Sequence, residues 1–383
     1  IMNNQLSLEF VEVYARIPLV ASPHIQHGDA LETDWATVLP PDHCTHVFGN
    51  PPFVGTKYQN PEQRAQVRRI AQPGGSGGTL DYVAAWFLKA GEYVQNGRAK
   101  IAFVSTNSIT QGEQVAQLWP VLFDRHNLEI AFAHRTFAWG SDARGKAHVH
   151  VVIVGLCRHD MEPTVKRLFS YDDINGEPHE SHHKALTAYL FDATRLSNSH
   201  LVVQGRARPI GELSPLVNGN VAADGGNLVF DEQRRTEILA LEPKLADLIQ
   251  PFVGGHDFLH GTLRYCFWLV DCPVSRMKQS AVLRATVRAV REMRLASTKP
   301  ATRERAGTAA LSTERRQPVC GRYLAVPRTR SVRRAYIPLG YLDHAVIAAP
   351  HLLLVPYARL RVSPLLTSKY LNSCVRLTAS RIT

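Results

Sequence analysis

The stretch of this chain whose residue types can do chemistry is Asn50-Pro51-Pro52-Phe53. Proline has no backbone N–H, so Asn50-Pro51 offers two carbonyl acceptors side by side. An exocyclic amino group carries two N–H donors and fits that pair. Accepting both bonds leaves the nitrogen lone pair free to attack an electrophilic methyl, and no catalytic base is obviously required. Phe53 adds a flat face on which an extruded base can stack. Taken alone, the four residues also fit an ordinary proline-terminated turn. The element that positions them is short. His46-Val47-Phe48 reads as a buried strand whose ladder the prolines stop. The amide is thereby held at the carboxyl end of a strand, where open α/β sheets place their ligands.

Other elements follow from the same patterning. Pro23-His24-Ile25-Gln26 reads as a strand ending at His27-Gly28-Asp29-Ala30, and Asp29 also suits a cap on a helix starting near Leu31. Lys57 to Arg69 is polar and basic, and Gln72 to Gly78 is a flexible loop that lacks the flanks of a phosphate cradle. Thr79 is the expected N-cap of a helix ending near Asn96-Gly97. Ile101–Val104 reads as a buried strand, and Glu113–His126 as a helix interrupted by Pro120. Leu128–Ala133 is the next strand, Thr136–Trp139 opens a loop, and His148–Leu156 returns as another strand. This β-α-β-α-β order predicts a parallel sheet with right-handed crossovers.

Several longer stretches resemble a known family: Gly49 to Gly55 (GNPPFVG), Gly78 to Trp86 (GTLDYVAAW), Phe103 to Gln114 (FVSTNSITQGEQ) and Arg135 to Gly155. In that order they are similar to the MmeI-like S-adenosylmethionine-dependent DNA (adenine-N6) methyltransferases with a target recognition domain. The likeness runs from Met2 to about Leu360 and weakens over Arg361–Thr383. It implies catalytic roles for Asn50, Pro51, Pro52 and Phe53, and cofactor contacts from Gly28, Asp29, Ala30 and Asn50. By position, Phe137 is the second aromatic of the flipped-base pocket, with Trp139 as the fallback, although either ring could simply fill core. The family's first strand, Gly-rich loop and ribose-binding acid would precede Ile1, so the chain reads as truncated at both ends.

Composition agrees with two domains. The 383 residues are 45% hydrophobic with no stretch of eighteen apolar residues, which argues against a membrane span. The six cysteines show no CxxC pairing and read as reduced cytosolic thiols, and no metal is expected. His148 and His150 alternate with Val149 and Val151 on one strand face, which suits satisfied, partly buried imidazoles better than metal ligation, and His179, His182 and His183 have no Cys or carboxylate at ligand spacing. Between Arg276 and Arg334, 16 Lys or Arg stand against 3 Glu, a balance of +13, which leaves −2 of the net +11 for the rest. Such a block is the electrostatic footprint of a polyanion partner. Ser275–Ser297 reads as an amphipathic helix with Leu283, Val287 and Val290 on its apolar stripe and Arg284, Arg288 and Arg291 beside it.

The resulting expectation is an α/β fold. Residues 1–200 form a partial class I methyltransferase-like doubly wound sheet, and 201–383 an α+β target recognition domain. The expected activity is methylation of a flipped adenine in double-stranded DNA, in the cytoplasm, within a restriction-modification system. Lys57, Arg284, Arg288, Arg291, Arg328, Arg333 and Arg334 are the expected DNA contacts. A non-catalytic DNA-binding remnant, and an amino-methyltransferase acting on RNA or on protein glutamine, are the alternatives.

Overall fold

A strand that is apolar on both faces belongs in the middle of a sheet, and the strand after residue 148 is of that kind. The computed structural model describes residues 24–71, 78–139, 149–206, 208–209, 211–329, 331 and 334–379. They form two compact units that divide after Gly205, with Thr378 counted in the first. In the first unit, β1 (His46–Gly49), β2 (Lys100–Thr106), β3 (Leu128–Trp139), β4 (Val149–Arg158), β5 (Lys166–Ser170) and β6 (His179–His183) make one sheet. Their order is β1-β2-β4-β3-β5-β6.

β1 pairs with β2 in parallel, and β3 with β5, whereas β4 runs antiparallel to both β2 and β3. β1, β2 and β3 therefore all run in one direction, as expected, and β4 inserts between β2 and β3 in the opposite one. Val151, Val152, Val154, Leu156 and Cys157 of β4 are all buried, so the central slot removes both of its faces from water.

Three local expectations are corrected. Thr136–Trp139 is not a loop: β3 continues through two register irregularities, and its end pairs with Val149–Val151. The helix expected from Thr79 begins at Ala84, because Thr79 and Asp81 bond to other segments instead of capping it. β5 and β6 lie within the polar run from Glu162 to about Leu201, which reads in the sequence as a connecting segment. The sequence of β6, HESHH, lacks apolar alternation because it is an edge strand held by pairing with β5. Pro120 ends an α-helix at Glu113–Pro120, and a single π-helical turn follows over Val121–Arg125.

At the start of β3, the buried Glu129 carboxylate accepts from His200 Nε2 at 2.8 Å and faces Lys166 Nζ at 3.5 Å. Lys166 also pairs with Glu162 at 2.5 Å, so its ammonium neutralises the Glu129, His159 and Glu162 group that could otherwise suit a cation. His200 also stacks on Phe123 of the π-helical turn with ring centroids 4.2 Å apart, and its bond to Glu129 ties the segment before Gly205 to the sheet. Burial pushes the Glu129 carboxyl up, but the His200 hydrogen bond and nearby positive charge outweigh it and hold it below 4.5. The same bond raises His200 above 6.5 against its own burial. A depressed carboxylate loses its contribution as pH falls below 4.5, and a raised histidine loses its own as pH rises above 6.5. The pair therefore stabilises most between those values. Melting temperature followed against pH should decline above that window, and His200→Asn should flatten the decline.

The second unit holds two sheets. β7 (Val229–Phe230), β8 (Ile249–Val253), β9 (Arg264–Phe267), β10 (Arg322–Pro327), β11 (Gly340–Asp343), β12 (Ile347–Ala348) and β13 (Leu352–Val355) pair as β12-β8-β9-β7 and β11-β10-β13. Asp231 reads in the sequence as the cap of a helix running to about Leu241, and it caps the Glu232–Leu241 helix by accepting from the Arg234 N–H at 2.9 Å. The expected helix over 275–297 is two helices, Val274–Gln279 and Ala281–Leu295. Extended Ser280 breaks the run, and its hydroxyl caps the second helix at the Leu283 N–H. Leu283 and Val290 are buried as predicted, and the stripe runs on to Arg294, which is 0% exposed. The Arg294 guanidinium donates to the carbonyls of Ala222, Ala223, Arg305, Thr308 and Leu311. Among the described residues no helix is long and apolar enough to cross a membrane.

Candidate active site

β1 stops at Gly49, opposite Phe103 of β2. The strand is not buried as expected. Among the described residues it is the sheet's edge, with Val47 partly buried against the core and Phe48 79% exposed. Beyond it Asn50 is exposed and Pro51 buried, and half-buried Phe53 packs against the core of the first unit. Neither the Asn50 side-chain oxygen nor the Pro51 carbonyl accepts a hydrogen bond from any described residue. Both acceptors are free for a ligand.

A concavity of about 310 Å³ opens at this strand end, lined by Trp35, Phe48, Asn50, Pro52, Trp86 and Phe103 among others. That size falls at the lower end of small-molecule sites, roughly 300–1,000 Å³. Trp86 is fixed edge-on against Tyr82 at 5.1 Å, and Trp35 against Tyr93 at 5.7 Å. The two indoles escaped the reading of the sequence because nothing in their spacing relates them to Asn50.

Residues 24–27 form no strand, and Gly28-Asp29-Ala30 opens a turn. The Asp29 carboxylate accepts from Leu31 N–H at 2.8 Å and Gln66 Nε2 at 2.7 Å, and its carbonyl accepts from Thr33 N–H at 2.9 Å. The Gln66 bond, followed by that of Leu31, holds the Asp29 carboxyl below the usual carboxylate range. The turn places the Ala30 carbonyl to accept the Trp35 indole N–H at 2.8 Å. Gly28 to Ala30 thus connects to the concavity through Trp35, and Asp29 stays ionised and exposed. Asp34 caps the short Trp35–Val38 helix.

Phe137 pairs with Val151, which in turn pairs with Thr106 at the end of β2. It therefore lies at the same end of the sheet as Asn50 but three strands across, about 14 Å at one strand spacing each. Its ring stacks on Tyr171 at 5.0 Å, and Trp139 stands 6.1 Å from it. Neither ring lines the concavity.

The basic residues differ in exposure and in the bonds they already make. Lys57 is exposed on the turn after Phe53. Arg284, Arg288 and Arg291 are exposed along one face of the Ala281–Leu295 helix, with Arg284 donating to the Lys278 carbonyl. Arg328 is exposed, and its N–H bonds to the His351 carbonyl at 3.1 Å. Arg334 is exposed and its carbonyl accepts from Arg376 at 2.6 Å, while Arg333 lies outside the described residues. Arg64 is taken up by the carbonyls of Thr56 and Gln59, and Arg69 pairs with Glu32.

Comparison with known proteins accounts for this arrangement. Residues 1–170 match the family described as "MmeI, DNA-methyltransferase domain", and residues 197–383 match "MmeI, target recognition domain". DNA methyltransferase A of Bacillus subtilis (strain 168) is 30% identical over 384 residues, covering 100% of this chain and 42% of the relative. The solved structure of the Type IIL restriction-modification enzyme MmeI in complex with DNA is 37% identical with a TM-score of 0.89. That match covers 100% of this chain and 50% of MmeI, so the chain spans half or less of the length of these relatives. By both matched domains and by the fold across its whole length, the chain belongs to the MmeI-like family.

Proposed function

We propose that this chain carries the methyl-transfer and sequence-reading parts of a DNA adenine-N6 methyltransferase of a restriction-modification system, acting on double-stranded DNA in the cytoplasm. The observation that carries the reading is the pair of unclaimed acceptors, Asn50 Oδ1 and the Pro51 carbonyl, beside an aromatic-walled concavity. They take the two hydrogens of the adenine amino group and orient its lone pair, and Phe53 stacks on the base. Phe137 is the second aromatic at that end of the sheet. S-adenosylmethionine, when bound, supplies the electrophilic methyl. The indole walls of Trp35 and Trp86 suit a flat heteroaromatic ring, and ionised Asp29 keeps lone pairs for a cofactor donor. Gly28 and Ala30 shape that turn. Asn50 is exposed to solvent, so the proton shed by the methylated nitrogen leaves to water.

Unstacking the adenine costs a few kcal/mol. Phosphate contacts offset part of it. Lys57, Arg284, Arg288, Arg291, Arg328, Arg333 and Arg334 are the residues assigned to that task.

The test is incubation with duplex DNA of mixed sequence and methyl-labelled S-adenosylmethionine, followed by nucleoside chromatography. Label in N6-methyladenine is the expected result. Label in cytosine would overturn the adenine assignment, and salt-sensitive DNA binding without any label would favour the non-catalytic alternative.

A further inference from the structure

The turn that follows Phe53 combines a pinned backbone with an exposed ring. Tyr58 N–H bonds to the Gly55 carbonyl at 2.8 Å. The N–H and hydroxyl of Thr56 both donate to Asp81 Oδ1, at 2.8 and 3.0 Å, and the hydroxyl also reaches the Thr79 carbonyl. Buried Gln59 donates to the Leu80 carbonyl at 2.9 Å, and Tyr82 N–H to the Val54 carbonyl at 2.9 Å. Asp81 is itself fixed from the far side: its Oδ2 accepts from Ser108 Oγ at 2.6 Å, and its N–H donates to Gln114 at 3.0 Å. The turn is thus bonded to the residues beyond β2 and to the helix that follows.

Upon this platform Tyr58 is 85% exposed, and Lys57 beside it is exposed as well. A tyrosine held out in water forgoes most of the burial a ring of its size could gain. A rigid backbone beneath it means that little ordering remains when a partner arrives.

We infer that Tyr58 is a positioning residue of the flipping step, entering the duplex where the adenine leaves and stacking on the base pairs that remain, while Lys57 meets the adjacent phosphate. The inference rests on the proposed function and adds to it a part that the acceptor pair cannot play. Asn50 and Pro51 hold the base once it is outside the helix. They do nothing about the gap left inside, and an aromatic plate fills such a gap with any neighbouring base because every base has a π-face. Tyr58 stands five residues after Phe53, so the base-holding face and the ring proposed to replace it belong to one pinned segment.

The test compares wild type, Tyr58→Ala and Tyr58→Phe in single-turnover methyl transfer with the full chain. Two duplexes carry the mapped target adenine, one with its thymine partner and one with an abasic position opposite it. On the paired duplex, Tyr58→Ala should transfer about 5- to 150-fold more slowly, the range expected for one lost base–aromatic stack, and Tyr58→Phe should match wild type. With the abasic partner the adenine is already unpaired, so the Tyr58→Ala deficit should shrink to about threefold or less. Equal rates for Tyr58→Ala and wild type on the paired duplex would overturn the inference. So would an undiminished deficit on the abasic duplex, which would mark Tyr58 as merely structural. In both cases a wild type that still methylates adenine leaves the proposed function standing. A wild type that transfers no methyl to adenine brings down the function and the inference with it.

Discussion

Asn50→Ala should abolish methyl transfer, by at least the 10²- to 10³-fold typical of removing one preorganised polar contact at a reacting group, and leave DNA affinity intact. The side chain supplies one of the two acceptors that orient the amino nitrogen, so its loss falls on the reacting geometry. Exposed Asn50 hydrogen-bonds to no described residue, so folding should change by no more than about 0.5 kcal/mol, as for other surface sites. The basic residues of the second unit are untouched. Single-turnover transfer measured beside fluorescence anisotropy on labelled duplex separates the two quantities. Joint loss of both would show that Asn50 holds structure instead of substrate.

The largest effect on stability is expected from Arg294→Met. The guanidinium is fully enclosed and gives five hydrogen bonds to five backbone carbonyls, three of them in the 305–311 stretch and two at Ala222 and Ala223. Methionine fills part of the volume but leaves those carbonyls in a dry interior without donors. Breaking a buried charged network from one side costs about 3–5 kcal/mol. For a unit of this size that is a fall of roughly 10 °C in the second unit's melting transition, measurable by scanning calorimetry. Arg294→Lys should recover only part of it, because an ammonium has three donors and lacks the planar fork. A transition that moves by less than about 2 °C would mean the carbonyls find other partners.

Legibility differed sharply between the acceptors and their surroundings. Asn50 to Phe53 could be read because chemistry, proline stereochemistry and a strand end coincide within four residues. The Asp231 cap, the end of the first long helix near Gly97 and the apolar stripe of Leu283 and Val290 were readable for the same reason: each is local. What could not be read depends on partners distant in sequence. Trp35 and Trp86 share a wall with Asn50 only because the sheet brings them there. Asp81, two residues after the expected cap Thr79, reads in the sequence as a first-turn helix acid, yet its carboxylate serves Thr56 and Ser108. Arg294 looked like one more basic residue in a basic block, and only tertiary packing distinguishes it from exposed Arg288 and Arg291. β6 carries no periodic signal because its stability comes from its neighbour.

The insertion of β4 between β2 and β3 has a consequence for how the chain assembles. β2 cannot acquire its inner neighbour until some fifty residues later in the sequence, since Ile101 faces Leu156. The β3–β4 hairpin is the local event, and loop closure favours it over the long-range pairing. Folding of the first unit is then a docking of a preformed ribbon onto a waiting half-sheet, with the ribbon's second strand as the seam. Until that seam closes, β1 and β2 have only each other among the described strands, so the groups proposed to grip the base acquire their rigid mounting last.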